Sequence, residues 1–575
     1  MFTLMVIYKL LISKDYDGYI INLADEHINE YISPSDNLIE YVTHFTGSNG
    51  MALILKNGSS VLYTDSRYFI QAEKELSNDF KLKKMGIDEN IYEYVQTIGG
   101  IKKIAINYKN ISYSRLNDMR SKFETNGVEI VHDDLTESIW PNKPKRTYNE
   151  IIDLEKIKAN TFLDVNSNEN ITGSNYMDKI NKLREKLSDD QVFILSELDS
   201  ISWLFNLRGS DIDYNPVFYA YSIISNDKAI IFIDREIERK DVEIRKYSEF
   251  YDFLKGVEAT RIFVNSRCNA FIVTELGEKK VEVSDLIGEL KSQKNEIELK
   301  GFELAHINDG ISLCSLFEWI ENNIGKTEKE IADKLEEYKR MLPGFISPSF
   351  DTISAYGPNA AIVHHRASET IVESKNLFLI DSGSQYLYGT TDATRTIHLG
   401  EPTKEQKHDF TLVLKGQLAA MRQVFPKERD TSVLDTLARM FLWNEKKDFG
   451  HGTGHGVGHF LNVHEAPPGI NQKGDLLKEN QIFSIEPGFY KENDYGIRIE
   501  DLVVVKKDEN FFKLENLTMA PLQLKMMDLN ILNDDEVNFI NEFNKKVRFV
   551  LQNKLKKGHG YDYMMRNTEE IKLKK

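Results

Sequence analysis

Leu377-Phe378-Leu379-Ile380-Asp381-Ser382-Gly383, followed after Tyr388-Gly389 by Thr390-Thr391-Asp392-Ala393-Thr394-Arg395-Thr396, is an apolar run that ends in a carboxylate and turns back past a second one. Read as a hairpin, it brings Asp381 and Asp392 onto neighbouring strands. Two carboxylates that close repel each other unless one holds a proton or a cation lies between them. Standing alone, the hairpin is better read as an Asp capping a turn and an Asp paired with Arg395.

It does not stand alone. Gln481-Ile482-Phe483-Ser484-Ile485-Glu486-Pro487-Gly488 is a second apolar strand ending in a carboxylate, and after Asp494-Tyr495-Gly496 comes Ile497-Arg498-Ile499-Glu500-Asp501-Leu502-Val503-Val504-Val505. Alternation puts Arg498 and Glu500 on one face of that strand and Ile497 and Ile499 on the other. Two hairpins with two carboxylates each predict a four-acid cluster. Between them lies His451-Gly452-Thr453-Gly454-His455-Gly456-Val457-Gly458-His459, with glycine at every even position. Such a segment does not form a helix; it is expected to run extended and closely packed, presenting imidazoles from one face. Eight of the 13 histidines fall between His364 and His464, which marks the region as the seat of chemistry.

Four carboxylates and one imidazole carry a formal charge near −4, which two divalent cations would neutralise. An oxygen-rich set with a single nitrogen favours Mn²⁺, Mg²⁺ or a similarly hard ion over a cysteine-type zinc site. Two metals about 3.5–4 Å apart can hold a bridging hydroxide and polarise a carbonyl, the equipment for hydrolysis. The surplus histidines would then carry protons or donate to an oxyanion. Nucleotide binding is unsupported: the glycine spacing does not satisfy GxGxxG, and Gly325-Lys326-Thr327 has Ile320 where a P-loop needs glycine. No HExxH zinc motif is present.

Working outward, the chain from about Asn295 reads as long amphipathic helices. Leu313, Leu316, Phe317 and Ile320 recur at helical spacing, and Thr327-Glu328-Lys329-Glu330 is a capping box opening a second helix with Ile331, Leu335 and Tyr338 on one face. Further upstream, two stretches share a pattern. Met51 to Leu55, Asn57-Gly58 and Val61-Leu62-Tyr63 form one hairpin, and Tyr221-Ser222-Ile223-Ile224, Asn226-Asp227 and Ile230 to Ile233 form another, each followed by an acid, Asp65 and Asp234. Two related α/β domains in tandem are expected, divided near the Pro-spaced basic link Trp140-Pro141-Asn142-Lys143-Pro144-Lys145. The predicted division is 1–140, 145–294 and 295–575. The run Met1 to Tyr8 lacks a preceding charge and a cleavage site and is expected to be a first core element; Lys554 to Lys575 mixes charges without a period and reads as a solvated end.

Composition limits the alternatives. The 575 residues, with 41% hydrophobic and 28% charged, are enough for several ordinary globular domains. A formal charge of −17 argues against nucleic acid or an anionic membrane as partner, and no stretch approaches the roughly 20 apolar residues of a membrane span. Two cysteines, Cys268 and Cys314, cannot frame a disulfide scaffold and suit a reducing compartment.

The segments Gly357-Pro358-Asn359-Ala360-Ala361-Ile362-Val363-His364, Asp381-Ser382-Gly383 with Asp392 to Thr396, His451 to Gly458, Asn462-Val463-His464-Glu465, Glu486-Pro487-Gly488 and Gly496 to Glu500 together resemble the Xaa-Pro aminopeptidases, specifically their long three-domain cytosolic form. The likeness extends to Thr64-Asp65-Ser66-Arg67-Tyr68-Phe69 and to Trp203 through Asp211. It implies an α/β (α+β) chain in which two tandem creatinase-like domains precede a pita-bread catalytic domain, a homodimer, a cytoplasmic location and two divalent ions, manganese first, with zinc or cobalt as alternatives. By the same resemblance Asp381, Asp392, His455, Glu486 and Glu500 would be the ligands, Asp392 and Glu500 bridging. His364 and His464 would shuttle protons and steady the tetrahedral intermediate, His451 would face the substrate, and Arg498 would orient a ligand carboxylate. The implied reaction is removal of the first residue from peptides with proline second, through a metal-bridging hydroxide. A prolidase acting on dipeptides and a metal-free peptide-binding module are the alternatives; the tandem N-terminal domains speak against the first and the complete ligand set against the second. Three positions depart from the family's habit: His365 stands for tyrosine, His459 for a small residue and Asp501 for asparagine.

Overall fold

The computed structural model describes residues 2–573, so Met1, Lys574 and Lys575 lie outside it. Two compact units result. One holds the chain up to Ile152 with Tyr176–Asp213 and Val217–Ile287; the other holds Asp153–Asn175, Tyr214–Pro216 and the chain from Gly288 onward.

The first unit is built on two six-stranded sheets. Strands β1 (Gly18–Asn22), β2 (Met51–Leu55), β3 (Ser60–Thr64), β4 (Lys81–Lys84), β5 (Lys103–Ile106) and β6 (Glu129–His132) are ordered β4-β3-β2-β1-β5-β6. Strands β7 (Gln191–Leu195), β8 (Tyr221–Ser225), β9 (Ala229–Phe232), β10 (Glu243–Arg245), β11 (Arg261–Val264) and β12 (Val281–Val283) are ordered β10-β9-β8-β7-β11-β12. The second order is the first with every number raised by six. Pairing directions repeat as well: β1 is antiparallel to β2 and parallel to β5, and β7 is antiparallel to β8 and parallel to β11. The tandem reading of the sequence therefore holds at the level of topology.

Both faces of the first sheet are covered, which is why its central strands β1, β2 and β3 are buried along their whole length rather than on alternate residues. Ile20, Leu53 and Val61 pack with Leu116 and Phe123 on one side, and Ile21, Ile54 and Leu62 pack on the other with Leu4, Ile7 and Leu11. Those last three lie on helix α1 (Phe2–Ser13), so the apolar N-terminal run is the core element its sequence suggests. Each such side chain contributes about 1.5–3 kcal/mol by leaving water.

In the second unit Asn295 and Thr327 cap α2 (Glu296–Glu321) and α3 (Glu328–Arg340), each with a complete capping box. The acid-bearing hairpin forms from β13 (Ile353–Tyr356), β14 (Leu377–Ser382) and β15 (Ala393–His398), antiparallel in that order. Helices α4 (Lys404–Met421) and α5 (Ser432–Trp443) follow. A six-stranded sheet then gathers β16 (Phe425–Pro426), β17 (Gly454–Gly456), β18 (Glu465–Ile470), β19 (Ile482–Ile485), β22 (Asp501–Asp508) and β23 (Phe511–Asn516), in the order β16-β23-β22-β19-β17-β18, while β20 (Gly488–Lys491) pairs with β21 (Tyr495–Arg498).

Two expectations are corrected. The strand read from Ile497 through Val505 is two strands: β21 pairs with β20, β22 pairs with β19, and Ile499 and Glu500 sit between them. The chain changes partner there because the Ile499 amide donates to the Pro487 carbonyl and the Glu500 amide to the Thr394 carbonyl. The C-terminal tail is not simply a solvated end. It forms α6 (Tyr561–Asn567), whose Tyr563 and Met564 are buried, Tyr563 against Phe317 of α2, and the Gly560 amide donates to Glu318 Oε2 at 2.5 Å.

Candidate metal centre

Register explains how residues far apart in the chain meet. In β14 and β15 Asp381 lies opposite Thr394, with Asp392 one residue before the strand begins. In β19 and β22 Ile485 lies opposite Asp501, which sets Glu486 beside Glu500 at the same end of the pair. The two sheets are stitched together at this point. Thr394 Oγ1 donates to Glu500 Oε2 at 2.7 Å, and buried Arg395 donates to the Glu500 carbonyl at 2.7 Å and to Asp501 Oδ1 at 2.6 Å. Arg395 is thus the partner of Asp501 and not of Asp392, which removes the simpler reading of the first hairpin and gives the Asp501 departure a reason. Behind the turn, buried Asp309 of α2 accepts hydrogen bonds from Ser384, Tyr386 and Thr391.

The glycine-alternating segment supplies the imidazole. A β-carbon at Gly454 would fall into the Ser484 carbonyl, so only glycine lets β17 lie this close to β19. His455 is fixed at both ends: its amide donates to Ser484 Oγ at 3.0 Å, and Nδ1 meets the Gly456 carbonyl at 2.9 Å. That leaves Nε2 facing Asp392 Oδ2 at 3.4 Å and Glu486 Oε1 at 3.5 Å. Asp392, His455 and Glu500 offer ligand atoms that all lie within 4.8 Å of one another. The imidazoles of this segment do not all share one face, however. His459 packs against Glu298 and Phe302 of α2.

Electrostatics show what the cluster lacks. Asp381 Oδ1, Asp392 Oδ1 and Glu500 Oε1 are buried and have no hydrogen-bond partner. Leaving a buried acceptor unmet costs about 1–3 kcal/mol, more when it is charged. Burial, reinforced by Asp392 and Glu486, pushes the Asp381 carboxyl up to about 7 despite Arg498; burial and the neighbouring carboxylates push Glu500 well above the usual range. Burial opposes the charge on His455, yet Asp392 and Glu486 outweigh it and raise the imidazole to about 9. A cluster in which burial and mutual repulsion push carboxyls upward, and in which Asp392, His455 and Glu500 hold ligand atoms within 4.8 Å of one another, fits divalent cations. Asp381, Asp392, His455, Glu486 and Glu500 are the residues that could hold them.

The other residues named from sequence surround this cluster. Buried Arg498 donates to Asp381 Oδ2 at 2.6 Å, to Thr394 Oγ1 at 3.2 Å and to Tyr490 Oη at 2.9 Å. His451 Nδ1 meets the Gly452 carbonyl at 2.8 Å, and its Nε2 meets Tyr490 Oη at 2.7 Å. The His464 ring is 4.2 Å from that of His455, centre to centre. His364 follows the short 3-10 turn Gly357–Ala361 and is half-buried.

Sequence reasoning missed Tyr490, which joins His451 to Arg498. Its faint signal is positional: Tyr490 lies opposite Gly496 and shares a face with Gly488, where a β-carbon would meet the Tyr490 hydroxyl. It also missed Ser484 and Thr394 as orienting hydroxyls; Ser484 Oγ donates to Glu486 Oε1 at 3.1 Å.

Residues 301–507 match Metallopeptidase family M24, residues 510–571 its C-terminal region, and residues 20–135 and 164–298 each match the Creatinase/Prolidase N-terminal domain. A protein of Coprinopsis cinerea named "Probable Xaa-Pro aminopeptidase P" is 34% identical over 95% of this chain and 94% of its own, and one of the same name from Pyrenophora teres f. teres is 36% identical over 94% and 88%. Among solved structures, the X-prolyl aminopeptidase of Caenorhabditis elegans, described as a cytosolic enzyme with a di-nuclear active site, matches with a TM-score of 0.91 at 30% identity, covering 99% of each chain.

Proposed function

The chain belongs to the Xaa-Pro aminopeptidases of metallopeptidase family M24, and on that premise we propose that it hydrolyses the bond between the first residue of a peptide and a proline at the second position at a two-ion centre, manganese first, held by Asp381, Asp392, His455, Glu486 and Glu500. The observation that carries the proposal is a pair of facts: Asp392, His455 and Glu500 bring ligand atoms within 4.8 Å of one another, and buried oxygens of Asp381, Asp392 and Glu500 have no hydrogen-bond partner. Divalent ions bound there supply Lewis acidity toward the scissile carbonyl and a water acidic enough to attack at neutral pH.

The chain's own groups do the rest. Arg498 holds the Asp381 carboxylate by one oxygen and leaves the other for a ligand role. Tyr490 accepts from Arg498 and sits 2.7 Å from His451 Nε2, while Nδ1 of that ring donates to the Gly452 carbonyl, so Tyr490 and Gly452 together fix the direction of the imidazole. The leaving proline nitrogen has no proton of its own, so it must receive one; His364 and His464 are the proton carriers in this reading, with His451 on the substrate side. The same reading keeps the 1–140, 145–294 and 295–575 division and a cytoplasmic location, in line with the cytosolic nematode structure; no helix among the described residues is long and apolar enough to cross a membrane. It also keeps a homodimer, supported by Val433, Met440 and Trp443, which α5 leaves exposed at 36%, 37% and 44%. Trp443→Glu would then give a monomer in light scattering.

Hydrolysis of X-Pro-Pro tripeptides, lost with chelator and regained with Mn²⁺, tests the proposal. Full activity in Glu486→Ala or Asp392→Ala sinks it. A preference for X-Pro dipeptides over tripeptides would instead assign a prolidase, a kind that covers only part of this chain: the Bacillus anthracis Xaa-Pro dipeptidase matches 61% of it.

A further inference from the structure

Glu328 is the first residue of α3 and takes no part in the capping box, which Thr327 and Glu330 complete. Its side chain is fully buried, and it accepts five hydrogen bonds. Oε1 receives the Tyr356 amide at 2.8 Å and Asn359 Nδ2 at 2.9 Å; Oε2 receives His365 Nε2 at 2.8 Å, the Ser368 amide at 3.0 Å and Ser368 Oγ at 2.6 Å. Every donor comes from the stretch between Tyr356 and Ser368, which carries His364 in its middle. Beyond the short turn ending at Ala361 this stretch has no helix or strand of its own. Two more bonds tie the same helix start to the far end of the loop, from the Glu328 amide to the Thr370 carbonyl and from the Lys329 amide to the Ser368 carbonyl.

Five donors on two oxygens require a carboxylate, because a carboxamide would turn an NH₂ group toward donors already in place. Burial works against the charge, but His365, Ser368 and Asn359 outweigh it and hold the Glu328 carboxyl below the usual range; the first turn of a helix also favours an anion. His365, adjacent to His364, is the one ring among these donors.

We propose that Glu328 is a positioning residue for His364, fixing the Tyr356–Ser368 loop at both ends and, through the Nε2–H of His365, the direction in which the neighbouring imidazole is presented. The inference rests on the catalytic role given to His364 above.

A double-mutant cycle on the full-length, Mn²⁺-loaded enzyme tests it with an X-Pro-Pro substrate. Glu328→Gln is expected to lower kcat about 10- to 100-fold, the size of a small misplacement of a catalytic group, with KM within about threefold and bound metal unchanged. His365→Leu should lose about tenfold in kcat, whereas His365→Gln, which keeps an N–H donor near Nε2, should stay within about threefold. In a His364→Ala background, Glu328→Gln and His365→Leu should each cost less than about twofold more, because a residue acting through His364 has nothing left to act on. Should Glu328→Gln fail to fold, the His365 pair completes the same cycle. Multiplicative losses on top of His364→Ala, loss of metal, or unchanged kcat would overturn the positioning role while leaving His364 catalytic. Wild-type rates in His364→Ala would overturn the catalytic reading itself, and the positioning role with it.

Discussion

Glu26 in the N-terminal unit, largely buried, and Glu500 in the catalytic unit, fully buried, are both set among other acids, and they come to opposite ends. Glu26 Oε1 accepts from Arg146 at 2.7 Å and Tyr247 at 2.9 Å, and Oε2 from Tyr221 at 2.9 Å and Tyr251 at 3.4 Å, while Arg146 also grips Asp36 through two bonds of 3.1 Å. Burial is outweighed by Arg146 and the carboxyl is held down to about 2. Glu500 has one bond, from Thr394, and a bare Oε1, and it is pushed up instead. The first cluster carries its cation within the chain and serves to hold structure. The second sets Arg498 and the His455 imidazole among four carboxylates and still leaves Asp381 Oδ1, Asp392 Oδ1 and Glu500 Oε1 unpaired, which is the balance expected of a metal site.

The largest effect expected from breaking this contrast lies at the metal centre. Chelation, Glu500→Ala or Asp392→Ala should each lower kcat/KM by more than about 1,000-fold, and the two variants should also bind less metal by elemental analysis. Next comes Arg146→Met, which strands Glu26 and Asp36: an unfolding titration should show a loss of about 3–5 kcal/mol, with kcat per folded molecule and metal content unchanged. If that variant lost metal instead, the division of labour between the clusters would be wrong.

The pH response sharpens the comparison further. The folded-state value of Glu26 lies below its unfolded value of roughly 4.3, so the stability it contributes is fully present above about pH 4.5 and is lost as pH falls through about 2. Acid unfolding followed by circular dichroism should show this slope in the parent chain and a shallower one in Arg146→Met. Smallest should be Tyr490→Phe, which removes the hydroxyl that joins His451 to Arg498: about a tenfold loss in kcat with both metals retained, measured by steady-state kinetics.

Much of the site can be read from the chain because its signals are local. An apolar run that ends in Asp381 or Glu486 announces a strand delivering a carboxylate, glycine at alternate positions around His455 announces close packing, and Thr327 announces a helix start. What escapes is what depends on a distant partner. Nothing within Ile497 to Val505 says that the strand changes sheets at Glu500, since the reason lies in Pro487 and Thr394. Nothing in the tail says that Tyr563 finds Phe317. Arg395, three residues from Asp392, invites a pairing that Asp501, more than a hundred residues on, in fact takes. Tyr490 and Glu328 were likewise invisible, because each acts by joining segments that sequence order keeps apart.

The most direct test of the account is the metal content of the purified chain after Mn²⁺ loading, read by elemental analysis alongside cleavage of an X-Pro-Pro peptide. Two ions per chain, with activity lost and regained as they are removed and restored, is the predicted result. Fewer than one ion per chain with cleavage undiminished would contradict it.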